Sequence, residues 1–480
     1  MTELSSNRYR VKSDFEQTVP VHVVWEITLA CNLKCTHCGS RAGKVRPGEL
    51  TTEQCFEIID QLEKLGTREI TIIGGEAFLR RDWLDIISRI DRAGIECSMQ
   101  SGAYNLNEKR IIQAKEAGIK NIGISVDGLP DVHNAIRGRA DSYEHAMRGL
   151  ELLKKHGIVS SVNTVITKEN QFQLDDMLDD FIARGIKNWQ IQLVVAMGNA
   201  VENDNHIIQP YELIDLYDRL IKVYQRALAN GILIQAGNNI GYYGPYEHIW
   251  RQGNDAHWSG CQAGHTSIGI EADGAIKGCP SLPTTEYTGG NIKDMSLTDI
   301  WNYSEQMKFT RHRNEDELWG HCKTCYYSSV CMSGCTWTSH VLFGKRGNNP
   351  FCHYRALSLH KEGKIEHVRK VQEAEGKPFD HGLFEIVVTD FNGKVLEVQN
   401  PLTDTQDTSA PMKEGLRKPK GLELCHGCKQ HVHLGTETCP HCGDNVPEEK
   451  KRHEEGMVQV REAYQKVLDL LNQEKVVING

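Results

Sequence analysis

The chain has little of what would place it in a membrane, outside the cell or on nucleic acid. Its polar amino-terminal segment lacks the apolar core of a secretory signal, so we expect a cytoplasmic protein. No run of about 18 uninterrupted apolar residues is present that could span a bilayer. Basic residues are not in surplus either, since the formal net charge is −9, and this argues against general binding of nucleic acid or anionic membranes.

The composition is that of a globular protein. Hydrophobic residues make up 39% and charged residues 25% of the 480 positions, which excludes the disordered, fibrous and collagen-like classes. The length favours about three domains. Because thiols stay reduced in the cytoplasm, the 16 cysteines are interpreted as metal ligands or catalytic groups before disulfides. All except Cys55 and Cys97 fall into three groups, which predicts at least three metal centres.

Residues 1–235 contain about six strand–helix units of about 30 residues each, a pattern typical of parallel α/β architecture. Six units are too few for a closed eight-stranded barrel, so we expect an open partial (β/α)6 barrel with its ligand site at the carboxyl ends of the strands. The predicted strands are VPVHVVWEITL, REITIIGG, IECSMQS, KNIGISV, VSSVNTVI and NWQIQLVV.

Three further regions are expected after the barrel. Residues 236–365 are rich in Gly, Cys, Trp and Tyr, and metal clusters are expected to replace part of the apolar core there. Residues 366–415 are predicted to hold a hairpin that turns at Asn392-Gly393, followed by a linker. Residues 416–480 are predicted to form a four-cysteine module with a terminal amphipathic helix.

The first cysteine group lies directly after the first predicted strand, at the mouth of the barrel. Cys31, Cys35 and Cys38 have the spacing C-x3-C-x2-C. Three thiolates on one short loop can hold three irons of a 4Fe–4S cube and leave the fourth iron open to a small molecule with nitrogen and oxygen donors. A three-ligand zinc site, or buried cysteines without a metal, are the alternatives.

The second strand ends in Gly74, Gly75 and Glu76. The two glycines allow backbone to approach a ligand closely, and the carboxylate of Glu76 can pair with an ammonium group. A Gly-Gly-Glu sequence by itself is more often a turn. At the end of a neighbouring barrel strand, however, this one is expected to face the cysteine loop.

The segments CNLKCTHC, GGEAF and SVDG together resemble the radical S-adenosylmethionine (SAM) enzymes over the first 235 residues or so. The resemblance implies that the open iron of a 4Fe–4S cluster chelates the methionine amino and carboxylate groups of SAM. One electron from the cluster then cleaves the C5′–S bond, and the resulting 5′-deoxyadenosyl radical abstracts hydrogen from an unactivated C–H bond. The protein supplies positioning and excludes water.

The same resemblance implies roles for individual residues. Cys31, Cys35 and Cys38 are the implied cluster ligands, and Ala77 stands where the family usually has proline after the glutamate. The other implied roles are His37 beside the adenine, Gly74, Gly75 and Glu76 at the methionine amino group, Ser125 and Asp127 near the ribose, and Arg137 at the carboxylate.

The second cysteine group has seven members, too many for one tetrahedral site and one fewer than two four-cysteine clusters require. Its spacing resembles the SPASM extension of radical SAM enzymes. The resemblance implies one auxiliary cluster on Cys261, Cys279 and Cys335, with either an open iron or a ligand other than cysteine. It implies a second auxiliary cluster on Cys322, Cys325, Cys331 and Cys352. With the SAM-binding cluster, the resemblance implies three 4Fe–4S clusters in total.

The third group, Cys425, Cys428, Cys439 and Cys442, has the spacing C-x2-C-x10-C-x2-C. Paired knuckles at this separation favour a tetrahedral structural zinc ion, and a rubredoxin-like iron is the alternative. Cys55 and Cys97 are predicted to be buried apolar residues.

These resemblances favour an oxidoreductase that installs a cross-link or an oxidised residue in a ribosomally made peptide. The alternatives are oxidation of one Cys or Ser of a protein, as in the anaerobic sulfatase maturases, radical modification of a small molecule or cofactor precursor, and an electron carrier with no catalytic activity. The expected partners are a precursor peptide or protein and a reductant such as flavodoxin or ferredoxin. The roughly 20 residues before the first strand are too few for a winged-helix leader-binding domain, so leader recognition is expected from a separate protein or from the zinc module.

Overall fold

The computed structural model describes residues 11–252, 256–403 and 421–478. The described residues divide into two compact units. The first unit comprises residues 11–240 and 259–403, and the second comprises residues 241–252, 256–258 and 421–478. The residues of the predicted linker from 404 to 420 lie outside the described part of the chain.

The first unit is built on a parallel sheet in which strands adjacent in sequence are also adjacent in space. The buried side chains of β1 explain why this strand is central: Val23, Trp25 and Ile27 are at most 1% exposed, as expected for a strand covered on both faces. The first seven strands are β1 (His22–Thr28), β2 (Glu69–Gly74), β3 (Glu96–Ser101), β4 (Asn121–Ser125), β5 (Val159–Ile166), β6 (Asn188–Leu193) and β7 (Leu233–Ala236).

The cysteine-rich region extends this sheet on the other side of β1. Its strands are β8 (Ser267–Ile270), β9 (Ala275–Lys277) and β10 (Thr288–Asn291). β8 pairs with β1 in parallel, with His22 opposite Ser267, and β9 and β10 continue the sheet in antiparallel orientation. Within the described residues the result is an open ten-stranded sheet with β10 and β7 at its edges.

Local signals in the sequence set the helix ends. The α2 helix begins in a capping box, in which Thr51 and Gln54 each bond the other's backbone amide, and α4 ends at Gly118 in the left-handed conformation. In the described residues the helices are α1 (Lys12–Glu16), α2 (Thr52–Lys64), α3 (Trp83–Arg92), α4 (Glu108–Ala117), α5 (Pro130–Arg137), α6 (Ser142–Lys155), α7 (Leu174–Arg184), α8 (Asn199–Glu202), α9 (Leu213–Ala229), α10 (Glu247–Trp250), α11 (Thr284–Tyr287), α12 (Leu297–Tyr303), α13 (Glu305–Lys308), α14 (Gly320–Thr324), α15 (Ser328–Cys331), α16 (Thr336–Phe343), α17 (His353–Lys361) and α18 (Val446–Ile478).

Two smaller sheets complete the described structure. In the first unit, β11 (Lys364–Gln372), β12 (Leu383–Asp390) and β13 (Val395–Gln399) form an antiparallel sheet, and the predicted turn at Asn392 and Gly393 joins the last two. In the second unit, β14 (Leu422–Leu424) pairs with β15 (His431–His433) ahead of the long helix α18. No helix in the described ranges is both long and apolar enough to cross a bilayer.

The predicted α/β class and open partial barrel are confirmed, but the sequence pattern did not predict β7 to β11, β14 or β15, of which β7 and β11 show the reason best. β7 is only four residues long, and β11 carries the mixed sequence KIEHVRKVQ, so neither shows a clear alternation of apolar and polar residues. Both become strands because a neighbouring strand pairs with them through backbone hydrogen bonds. β7 pairs with β6, and β11 pairs with β12.

Candidate functional site

A cavity of about 310 Å³ lies at the carboxyl ends of the barrel strands. Each strand from β1 to β6 contributes at least one side chain or backbone segment to its wall, which is the position expected for the ligand site of such a fold. The strand residues that line it are Glu26, Ile73, Gly74, Gln100, Ser101, Ser125, Val165, Gln192 and Leu193.

The loop after β1 brings Cys31, Cys35 and Cys38 to the wall of this cavity. The loop is held against the carboxyl end of α5, because the Lys34 amide donates to the Arg137 carbonyl oxygen at 3.1 Å. Gly138, at φ +68°, allows this approach, since a Cβ there would lie 2.5 Å from the Lys34 carbonyl oxygen. The backbone of α5 therefore fixes the shape of the cysteine loop.

The environment of these thiols suits ligands of an iron–sulfur cluster. The Leu33 amide donates to the Cys31 sulfur, and the Ala42 amide to the Cys38 sulfur, both at 3.4 Å. Burial raises the pKa of Cys31 to about 12, so the thiolate needs a positive partner such as iron. Among the described residues these three cysteines do not form a set with all sulfur atoms within 4.8 Å, the proximity that a single ion requires.

Gly74 and Gly75 bring the ends of β1 and β2 together and also line the cavity. A Cβ on Gly75 would lie 2.4 Å from the Ala30 carbonyl oxygen, and one on Gly74 would lie 2.5 Å from the Thr28 carbonyl oxygen. Only glycine allows the two backbones to lie this close, next to the cysteine loop. At these two glycines, therefore, the close contact that excludes a side chain is with the backbone of the loop after β1, and not with a ligand.

Glu76 is buried beneath the cavity wall, where its carboxylate accepts a bond from the Ser101 hydroxyl at 2.8 Å and one from the Gly102 amide at 3.0 Å. Burial raises the pKa of Glu76 to about 7 despite these two bonds. Ser101 and Gly102 themselves line the cavity. The carboxylate therefore fixes the end of β3, and its predicted contact with an ammonium group stays a prediction.

The remaining predicted SAM contacts form one buried network behind Cys35. Asp127 is fully buried, and its Oδ2 lies 2.5 Å from an Arg137 guanidinium nitrogen and 3.2 Å from His37 Nε2. Arg137 also donates to the Cys35 sulfur at 3.7 Å. Ser125, His37 and Arg137 line the cavity, whereas Asp127 acts on it through its two partners. Although burial opposes ionisation, the guanidinium of Arg137 holds the pKa of Asp127 well below its usual value.

Several residues of the site were not predicted, because distant segments supply them. Trp337, Met197 and Phe379 line the cavity, and the Trp337 indole donates to the Met197 sulfur at 3.0 Å. Asn199 donates to the Cys35 carbonyl oxygen at 2.9 Å, and Arg41 pairs with Asp380 at 2.8 Å. None of these residues belongs to a local motif, so the sequence contains no signal that would have identified them.

Cys261, Cys279 and Cys335 lie together around a small apolar cluster. Cys261 and Cys279 pack against Leu282 and Phe309. Burial raises the pKa of Cys335 to about 12, and the neighbouring thiols of Cys261 and Cys279 contribute to this rise. The fold therefore brings together three cysteines from separate segments that the sequence spacing had grouped.

Cys322, Cys325, Cys331 and Cys352 form a second, separate set. Burial raises the pKa of Cys331 well above its usual value, and Cys352, Cys322 and Cys325 raise it further. The Asn349 amide donates to the Cys322 sulfur, and the Tyr327 amide to the Cys325 sulfur, both at 3.4 Å. Such N–H···S bonds stabilise thiolate ligands of metal clusters.

In the second unit the four remaining cysteines converge on one point. Their sulfur atoms all lie within 4.8 Å of one another, with Cys425 to Cys442 at 3.8 Å and Cys428 to Cys439 at 3.7 Å. A tetrahedral zinc ion with sulfur ligands at about 2.3 Å separates neighbouring sulfurs by about 3.8 Å. The geometry suits one tetrahedral ion and is too narrow for a four-iron cube.

The two remaining cysteines lie away from these sets, as predicted. Cys55 in α2 is 1% exposed and Cys97 in β3 is fully buried. All 16 cysteines are within the described residues, and each is a thiol rather than half of a disulfide.

The domain models agree with this arrangement of cysteines around a barrel mouth. The radical SAM superfamily model matches residues 25–181, and the SPASM model, an iron–sulfur cluster-binding domain, matches residues 261–326. The chain is a radical SAM enzyme with a SPASM domain. Its cofactors are SAM and iron–sulfur clusters, and the four-cysteine module lies outside both matched ranges.

Curated relatives of this radical SAM–SPASM enzyme act on different kinds of molecule. The AdoMet-dependent heme synthase of Oleidesulfovibrio alaskensis is 28% identical over 351 residues, which are 69% of this chain and 87% of that protein. The mycofactocin maturase MftC of Mycolicibacterium smegmatis is 27% identical over 339 residues, which are 68% of this chain and 81% of that protein.

Solved structures share the fold of this radical SAM–SPASM enzyme. Native anSMEcpe with bound AdoMet matches with a TM-score of 0.57 at 18% identity, covering 71% of this chain and 95% of that one. SuiB of Streptococcus suis, bound to its precursor peptide SuiA, matches with a TM-score of 0.52 at 16% identity, covering 68% of this chain and 74% of that one.

Proposed function

We propose that this radical SAM–SPASM enzyme modifies a side chain of a ribosomally made peptide or of a protein, installing a cross-link or an oxidised residue. The observation that carries the proposal is the cavity at the barrel mouth, which has three thiols on one side and Trp337 of the cysteine-rich region on the other. A substrate that enters this cavity contacts both halves of the unit.

The proposal assigns the cluster to Cys31, Cys35 and Cys38. A cluster held there with SAM would supply the radical chemistry needed to remove a hydrogen atom from a substrate carbon. Arg137 holds a positive charge beside Cys35, and His37 and Ser125 line the wall where the nucleoside would lie. Gly74 and Gly75 shape the wall opposite, and the apolar side chains of Met197 and Phe379 exclude water.

The proposal also assigns two auxiliary 4Fe–4S clusters and one zinc ion. Two separate sets of cysteines, all buried or partly buried, support the auxiliary clusters, and the set of Cys261, Cys279 and Cys335 lacks a fourth cysteine. The sulfur separations of the four-cysteine module support zinc. The auxiliary clusters would accept the electron left on the substrate, and an external flavodoxin or ferredoxin would supply the first one. Clusters on reduced thiols suit a cytoplasmic enzyme.

The first prediction concerns the radical-forming step. Reduced wild-type protein with SAM should release 5′-deoxyadenosine, and Cys31→Ala, Cys35→Ala and Cys38→Ala should each lower its rate at least 100-fold. Chromatographic assay of 5′-deoxyadenosine measures this rate. Cys55→Ala is the control, because it removes a buried thiol that lies in α2 and not on the cysteine loop, and its rate should stay within about twofold. Equal rates in all four variants would contradict the assignment.

A second candidate function is radical modification of a cofactor precursor. The heme synthases among the relatives favour it, since they cover as much of this chain as the peptide maturase does. Peptide binding by SuiB, and by anSMEcpe with a Cp18Cys peptide, supports the first candidate through the shared fold.

The second prediction separates these candidates by the mass of the product. Short peptides encoded beside this gene, co-expressed with the enzyme, should lose about 2 Da per cross-link, or about 2 Da for a Ser and about 18 Da for a Cys oxidised to an aldehyde, and high-resolution mass spectrometry of the peptide detects this. The Cys35→Ala variant is the control and should leave the mass unchanged. Unaltered peptides, together with turnover of a tetrapyrrole precursor, would favour the second candidate.

A further inference from the structure

A cluster of three metal-binding side chains lies in the first unit, apart from every cysteine set. Glu286 comes from α11, His340 from α16, and His381 from the segment just before β12. The Glu286 carboxylate oxygen and the Nε2 atoms of both histidines all lie within 4.8 Å of one another. Neither family resemblance nor any sequence motif singled out these residues.

Both imidazole rings present the same nitrogen to the glutamate, because the other nitrogen of each is already engaged. His340 Nδ1 is bonded to the Tyr287 hydroxyl at 3.0 Å, and His381 Nδ1 donates to the Gly382 carbonyl oxygen at 2.7 Å. Hydrogen bonding at one nitrogen, with the other facing the metal, is the arrangement that orients histidine ligands in metal sites.

One of these nitrogens has no hydrogen-bond partner. His340 is only 5% exposed, and its buried Nε2 makes no hydrogen bond with any described residue; the nearest carboxylate oxygen, on Glu286, is 3.8 Å away. A buried polar atom that lacks a partner is rare in folded proteins and destabilises them, so such an atom calls for an explanation. A bound cation between His340 and Glu286 would satisfy it.

We propose that Glu286, His340 and His381 bind a divalent first-row transition metal ion, with zinc as the ion to test. A tetrahedral ion with ligands at about 2.1 Å separates them by about 3.4 Å, and Glu286 to His381 is already 3.4 Å. His340 Nε2 is 3.8 Å from the same Glu286 oxygen, so it would lie about 0.4 Å closer to that oxygen around a bound ion.

The donor set of the site suits a cation. One carboxylate oxygen and two imidazole nitrogens are ligands that divalent first-row transition metal ions prefer. The nearby guanidinium of Arg346, which contacts the Tyr287 hydroxyl at 3.5 Å, is paired with Glu317 at 3.3 Å, so its charge is balanced.

Three protein ligands leave at least one coordination position open, as in catalytic rather than structural zinc sites. Glu286 is 40% exposed at its side chain, so water and a substrate group can reach the ion from this side. Tyr287 connects the site to the apolar cluster that carries Cys261 and Cys279.

The test is a count of zinc in the full-length protein with its iron–sulfur clusters in place. After anaerobic equilibrium dialysis against micromolar zinc, elemental analysis should find one more zinc ion per chain in the wild type than in the double variant His340→Gln, His381→Gln. The four-cysteine module is intact in both proteins, so any zinc that it binds contributes equally to both counts and does not affect their difference. His145→Gln, which changes a partly exposed histidine of α6 outside this site, is the control and should retain the wild-type count.

A second variant keeps the test decisive if the double variant folds poorly. Glu286→Gln changes a partly exposed carboxylate and should weaken binding of this zinc at least tenfold. Equal iron content in wild type and variants reports that the fold and the clusters are intact. Equal zinc counts in wild type, Glu286→Gln and the double variant would overturn the proposal, whatever the substrate of the enzyme proves to be.

Discussion

At the residue scale, the pair formed by Asp127 and Arg137 is the strongest electrostatic feature of the site. Both side chains are at most 10% exposed, and the guanidinium lies between Asp127 and the sulfur of Cys35. A buried charge is stable only when it is paired, so the carboxylate is what allows Arg137 to remain beside the cysteine loop. The sequence indicated both residues as SAM contacts, but only the fold shows that they bind each other.

The third prediction follows from this pair. Asp127→Asn should destabilise the protein by about 3–5 kcal/mol, because it leaves Arg137 buried without its partner. Because the folded pKa of Asp127 lies below the unfolded one, its contribution is complete above about pH 4 and is lost as the pH falls further. The difference in melting temperature between wild type and variant should therefore be constant from pH 5 to pH 8, as calorimetry can measure.

The control for this prediction is Asp131→Asn, which changes an exposed carboxylate in the first turn of the same helix, α5. It should shift the melting temperature by less than about 2 °C. A difference between Asp127→Asn and wild type that changed steadily between pH 5 and pH 8 would mean that Asp127 is not held in its ionised form.

At the element scale, the four-cysteine module has few apolar residues of its own. Leu422, Leu424, Val432 and Val446 are its buried aliphatic side chains, too few to fold a segment of this size without a metal ion. Other contacts come from the earlier part of the same unit: Gln430 donates to the Tyr243 carbonyl oxygen at 3.2 Å, and His257 packs against His431. The sequence predicted the sulfur ligands but not this earlier segment.

The fourth prediction concerns the module as an element. Cys428→Ser with Cys439→Ser should remove one zinc ion per chain and make residues 421–452 sensitive to protease, because the ion supplies most of the folding free energy there. Elemental analysis and limited proteolysis with mass mapping measure these effects. The Cys97→Ser variant is the control and should retain the module.

Deletion of residues 416–480 extends the same test to function. If the module recognises the leader of a substrate peptide, the deletion should weaken peptide affinity at least tenfold and leave 5′-deoxyadenosine formation intact. Unchanged peptide affinity in the truncated protein would assign leader recognition to a separate protein.

At the scale of the whole molecule, a single sheet connects the two halves of the first unit. β8 adds to β1 on the side away from β2, so the cysteine-rich region continues the barrel sheet rather than standing apart from it. Trp337, two residues after Cys335, consequently reaches the cavity that the first cysteine loop lines. The cavity at the barrel mouth therefore extends to the segment that carries Cys335.

The fifth prediction is the iron content of the whole chain. Protein reconstituted without oxygen should contain about ten to twelve iron atoms, and Cys331→Ala with Cys352→Ala should remove about four of them. Iron analysis with acid-labile sulfide measures this. About four iron atoms in the wild type would mean that only the SAM cluster is present.

The sequence by itself determined the fold class, the six strongest barrel strands and the grouping of the cysteines. This information is local: apolar periodicity, helix caps and short cysteine spacings act over a few residues. The sequence also separated the seven cysteines into the sets of three and four that the structure brings together, through the resemblance carried by their spacing.

Only the tertiary structure decided how these elements combine. It paired β8 with β1, buried Asp127 against Arg137, and brought Glu286, His340 and His381 together from segments almost 100 residues apart. Such contacts join residues that share no local pattern, and their energy depends on burial and distance, which arise only once the chain is packed.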